Sequence, residues 1–68
     1  MGLWKKWVAI RTEGGSRVDL IDRLQAYFKR NGIKSKISIE TSSLKKIHVL
    51  QKDENRAREL MADFDAEQ

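Results

Sequence analysis

Thr12 to Arg17 reads "TEGGSR", with an apolar run before it and a helical pattern after it. Adjacent glycines, a hydroxyl and an arginine at a strand-to-helix junction are the materials of a phosphate cradle, where free N–H groups at a helix start hold an anion. The stretch lacks the longer loop ending in Gly-Lys-Ser/Thr that a nucleoside triphosphate needs, and it lacks the spaced glycines of a dinucleotide site. What is left is a generic anion site at Gly14, Gly15, Ser16 and Arg17. Against it stands a plainer reading, which we prefer: the glycines make a tight bend and Ser16 caps the helix that follows.

Ser42, Ser43 and His48 supply a nucleophile and a base on paper, but no third group is in place to orient the imidazole. Asp19 and Asp22 share one side of a helix with Arg23 beside them, and both suit the favourable first half of that helix rather than a catalytic pair. No cysteine is present, and His48 is the one histidine, so no cluster with metal-ligand spacing exists. We therefore expect a non-enzymatic chain with no metal and no cofactor.

The elements that position these residues follow from periodicity. "WVAIRT" (7–12) is rich in β-formers and ends at the glycine pair, which makes a strand. In "SRVDLIDRLQAYFKRNG" (16–32), Leu20, Leu24, Tyr27 and Phe28 recur at helical spacing, with Val18 and Ile21 broadening the stripe. Asn31-Gly32 gives a left-handed stop, and Ile33 is set to pack back over it. "SKISIET" (35–41) and "KKIHVLQK" (45–52) alternate with period two and flank a short hairpin connection. In the last segment Asp53 is the expected N-cap, and Ala57, Leu60, Met61 and Phe64 fall on one helical face.

The order β-α-β-β-α, with a right-handed crossover through the first helix, gives a three-stranded sheet of order 1-3-2 with both helices on one face. This is an α+β, ferredoxin-like sandwich lacking its fourth strand. Its expected core is Val8, Ile10, Leu20, Leu24, Phe28, Ile37, Ile39, Ile47, Val49, Leu60, Met61 and Phe64. We expect residues 1–68 to form one domain, with the core over about 7–64, a short N-terminal segment and an acidic C-terminal tail.

The helix-free face of that sheet is where a partner belongs. If Val8 and Ile10 point inward, Trp7, Ala9 and Arg11 point outward, beside Lys36, Ser38 and Glu40 and beside Lys46, His48 and Leu50. Trp7, Arg11, His48 and Leu50 would form an interaction face of aromatic centre and polar rim, and the first strand would be an edge open to strand addition. A one-residue slip in the first strand would exchange its inward and outward residues. The competing use of the face is single-stranded nucleic acid, with Lys36, Lys45 and Lys46 holding the backbone. Trp4 and Trp7 have a structural alternative as lids on a small core, and Lys5, Lys6, Lys45 and Lys46 another as guards against edge aggregation.

Charge fits either use. The chain carries 14 Lys and Arg against 10 Asp and Glu, a net +4, divided unevenly. Residues 1–52 hold twelve basic against four acidic side chains, whereas residues 53–68 hold Arg56 and Arg58 against six acids. The same division would let two copies pair, and so short a chain commonly needs such support. No run is long enough to span a bilayer, the first residues lack the h-region of a signal peptide, and Lys6 breaks a myristoylation motif after Gly2. A soluble cytoplasmic protein is expected, away from membranes.

"L…NGIK" from Leu24 to Lys34 and "IHVLQKDENRARELM" from Ile47 to Met61 together resemble the small prokaryotic domains grouped as signal-transducing proteins, which are PII-like β-α-β-β-α units. The resemblance spans about residues 7–64. It implies the same fold and a bacterial source within a group labelled for signal transduction, and it carries neither a settled activity nor a functional residue with it. The expected function is a small regulatory module that binds a protein partner or a second copy of itself, with nucleic acid as the runner-up.

Overall fold

The computed structural model describes residues 6–68, so Trp4 and Lys5 lie outside the described residues. Strand β1 (Trp7–Gly14) leads through a 3-10 turn at Gly15–Arg17 into helix α1 (Asp19–Arg30). Strands β2 (Ser35–Thr41) and β3 (Leu44–Leu50) follow, then a 3-10 turn at Gln51–Asp53 and helix α2 (Glu54–Ala66). The sheet has order β1-β3-β2, with β3 antiparallel to both neighbours. This is the α+β sandwich of β-α-β-β-α order that the periodicity predicts. Helix α2 carries the acidic end of the chain as far as Ala66.

Both helices pack on one face of the sheet. Ile21, Leu24 and Phe28 from α1 meet Ile10, Ile47 and Val49 from the sheet and Ala57, Leu60 and Phe64 from α2 in one buried cluster. Tyr27 and Phe64 close the helix–helix seam with ring centroids 5.6 Å apart, inside the favourable range for a tilted aromatic pair. Val8, Leu20, Ile37 and Met61 are only partly buried against this core. Ile39, expected in the core, is 68% exposed. Its alternation was right, since it lies on the helix side opposite Lys45, but no apolar residue reaches that corner to cover it.

The helix ends show which local signals act. Gly32 takes φ +80° and the Ile33 N–H donates to the Phe28 carbonyl at 2.9 Å. That six-to-one bond is the Schellman stop that Asn31-Gly32 foretells, and it buries Ile33. The expected N-caps behave differently. Neither Ser16 nor Asp53 makes a side-chain capping bond, because each falls in a 3-10 turn that leads into its helix. The two-residue turn Ser42-Ser43 joins β2 to β3, with the Ser43 N–H donating to Thr41 Oγ1 at 3.3 Å.

The register of β1 decides which residues reach which face. Val8 pairs with Val49 and Ala9 with His48, but Arg11 rather than Ile10 pairs with Ile47. Ile10 is the extra residue of a β-bulge, and beyond it the alternation restarts one residue later. The single insertion turns Arg11 and Glu13 toward the helices.

Candidate functional site

The face without helices carries Trp7, Ala9 and Thr12 from β1, Lys36 and Ser38 from β2, and Lys46, His48 and Leu50 from β3. These assignments follow from the cross-strand pairs Trp7–Leu50, Ala9–His48, Thr12–Lys46, Lys36–His48 and Ser38–Lys46, since directly opposed residues share a face. Trp7, His48 and Lys46 are half-buried, and Ala9 and Lys36 are exposed. The Lys36 ammonium lies 4.7 Å from the centroid of the Trp7 ring. At such a separation the ring quadrupole attracts the cation by about 0.5–1 kcal/mol at an exposed site. It joins the two outer strands across β3.

A second fixed point is polar. His48 Nε2 stands 2.8 Å from Ser38 Oγ, and Ser38 Oγ stands 3.0 Å from Glu40 Oε2. The hydroxyl owns one proton, and a carboxylate only accepts. Ser38 therefore donates to Glu40 and accepts from the imidazole N–H. In that arrangement Nε2 is a donor, so it cannot take a proton from the hydroxyl as a general base must. The trio is a cross-strand relay that fixes the imidazole, rather than an activated nucleophile. Alternation had already set Ser38 and Glu40 on this face beside His48. What it could not show was the contact between side chains, and Ser42 and Ser43, the hydroxyls first weighed against His48, lie apart in the hairpin turn.

Two of the expected face residues belong elsewhere. Arg11 is turned inward by the bulge. Its Nε donates to Glu13 Oε2 at 2.9 Å and its terminal nitrogen to Asp65 Oδ1 at 2.8 Å, tying β1 to the last turn of α2. Arg17 Nε donates to the other Glu13 oxygen at 3.1 Å. Burial works to raise the Glu13 carboxyl, but the hydrogen bonds from Arg17 and Arg11 prevail and hold it below the ordinary carboxylate range. Burial opposes the Arg11 charge in the same way, and the bonds to Asp65 and Glu13 outweigh it, keeping the guanidinium firmly protonated. Lys45 is also inward, where its ammonium meets the Asp22 carboxylate at 3.0 and 3.3 Å. The alternation that turns Ile47 and Val49 to the core already required this of Lys45. Leu50 keeps its outward register but is only 7% exposed, so it offers a partner little surface.

The "TEGGSR" stretch is a structural junction. Gly14 is needed for close approach: a Cβ there would lie 2.9 Å from Leu44 Cδ1 and 3.1 Å from the Ser43 carbonyl. Gly15 is needed for its φ of +62°, which side chains rarely tolerate. Its N–H donates to the Ser43 carbonyl at 2.8 Å, and Arg17 is engaged by Glu13. Two donors that an anion would have used are thus occupied, and the Ser16 hydroxyl makes no capping bond.

Among the described residues no group of three His, Cys, Asp or Glu side chains could hold a metal ion, and no helix is long and apolar enough to cross a membrane. No family model, no curated protein and no solved structure matches the chain.

Proposed function

We propose that this chain is a small, non-enzymatic regulatory module that binds a protein partner on the helix-free face of its sheet. The observation that carries the reading is the pairing on that face of Trp7 with Lys36 and of His48 with Ser38 and Glu40. Aromatic and polar groups held by one another lose little freedom when a partner arrives, which favours binding. Lys36 and Lys46 outnumber Glu40 there, so the partner surface that fits is partly apolar and acidic. A role in signal transduction is what the resemblance adds to this reading.

The nucleic-acid alternative is weakened by the same geometry. With Arg11 and Lys45 bound to carboxylates on the other face, the open face keeps Lys36 and Lys46, with Lys34 beside Trp7 at its end. Base-stacking surfaces combine several aromatics with a continuous basic track.

The test is in-cell photo-crosslinking from Ala9, which is exposed at the middle of the face, against crosslinking from Glu59 on the exposed side of α2. A discrete protein adduct from position 9 alone, lost in Lys36→Glu, is the expected result. Equal adducts from both positions would overturn the proposal. So would amide shifts at Trp7, Lys36 and Lys46 on adding single-stranded RNA that vanish as salt rises, the signature of phosphate contacts.

A further inference from the structure

The outer edge of β2 is interrupted only at its hairpin end, where the pairing with β3 skips Glu40. Edge strands are commonly protected by proline, by bulges or by charged side chains pointing inward. From Ser35 to Ile39 the β2–β3 ladder runs without a break, the segment has no proline, and its inward residues are Ser35, Ile37 and Ile39. Ile39 is also the exposed large hydrophobic residue of the described chain, at 68%. An apolar side chain next to a free row of backbone N–H and C=O groups is the arrangement that takes up another strand.

The sequence of this edge selects the occupant. Setting two β2 strands antiparallel about a two-fold axis at Ser38 places Lys36 opposite Glu40 of the other copy, twice, on the open face. On the helix side it places Ile37 opposite Ile39, again twice. Opposite charges meet on one side and apolar side chains on the other, as an isologous interface requires. A register shift of one residue, which moves the axis to the Ile37–Ser38 midpoint, sets Lys36 against Ile39 and loses both complementarities. The groove between α1 and this edge sets Ala26 and Ile33 among Asp22, Lys29 and Lys34. We infer that the partner of the β2 edge is a second copy of this chain, joined β2 to β2 about Ser38 into a six-stranded sheet. The inference shares Lys36 and Glu40 with the open face, but not the backbone pairing or the Ile37–Ile39 contacts. The Ile39→Lys and Ser38→Cys variants therefore test it separately from the proposed function.

Because the chain contains no cysteine, the register can be read by crosslinking. Ser38→Cys puts one thiol next to its own symmetry mate and is expected to give a disulfide-linked species of twice the 7.9 kDa chain mass under mild oxidation. Lys36→Cys places its thiol opposite Glu40 and far from its mate, and stays unlinked. Sedimentation of the unmodified chain should show the doubled mass. Ile39→Lys should weaken association at least ~100-fold while leaving the circular dichroism of the fold unchanged, since Ile39 contributes little to the monomer core. A monomer at all concentrations, equal crosslinking from both cysteine positions, or a dimer untouched by Ile39→Lys would each overturn the inference.

Discussion

The two edges of this sheet are built on opposite plans. β1 has a bulge at Ile10, and the bulge turns Arg11 and Glu13 inward, where Arg17 and Asp65 bind them. A second strand arriving there would meet an interrupted hydrogen-bond row flanked by committed charges. β2 runs regularly from Ser35 to Ile39, with its own irregularity at Glu40, and presents an isoleucine in place of an ion pair. The difference lies in where the extra residue falls: in β1 it comes mid-strand at Ile10 and brings charged side chains inward, whereas in β2 it comes at Glu40, beside the hairpin turn. It also moves the expectation of strand addition from the first strand to the second.

The comparison can be broken most directly by giving β2 the inward charge that β1 already has. That is the Ile39→Lys variant, with its ~100-fold loss of association and no loss of fold. Next in size is the junction that ends β1. Gly15→Ala meets no atom within 4 Å, so its cost is conformational alone, and the φ of +62° sets it at about 1–2 kcal/mol. Urea unfolding of the variant measures it, and an unchanged midpoint would mean that the turn adapts.

Acid probes the ion cluster on the closed edge. The Glu13 carboxyl titrates lower in the folded chain than in the unfolded one. Its stabilisation is therefore complete above the ordinary carboxylate pKa of about 4 and is lost as pH falls through the lower folded value. Glu13→Gln should flatten the fall of stability between about pH 5 and pH 2 and reduce stability at neutral pH. A profile identical to that of the parent chain would remove Glu13 from the account of the β1 edge. The smallest effect belongs to an exposed pair away from either edge. Arg58→Ala breaks a bond to Glu54 on the surface of α2, and it should change stability by no more than about 0.5 kcal/mol.

Much of this was legible in the residue pattern. Period two marked β2 and β3, helical spacing marked α1 and α2, and Asn31-Gly32 marked the end of α1 together with the packing of Ile33. Trp7, Lys36, Lys46 and His48 fell on the predicted face because no irregularity separates them from the paired core residues. Arg11 did not, because a bulge leaves no mark in a short strand whose neighbours are all compatible with either face. Lys45 was misread for a different reason: its charge drew it to the surface, although its parity with Ile47 and Val49 required the inward side. Ile39 failed as a core residue because alternation reports which side a residue faces, whereas burial also needs a neighbour at that height of the sheet.

The central place of β3 has a consequence for the order of events during synthesis. β2 can pair with β3 as soon as Leu50 is made, across a turn of two residues. β1 is translated first and yet has no strand to bind until that same moment, some forty residues later. Closing so long a loop carries a larger entropy cost than the local hairpin does. The β2–β3 hairpin therefore closes at a lower entropy cost than the β1–β3 pairing, and the first strand made is expected to be the last placed.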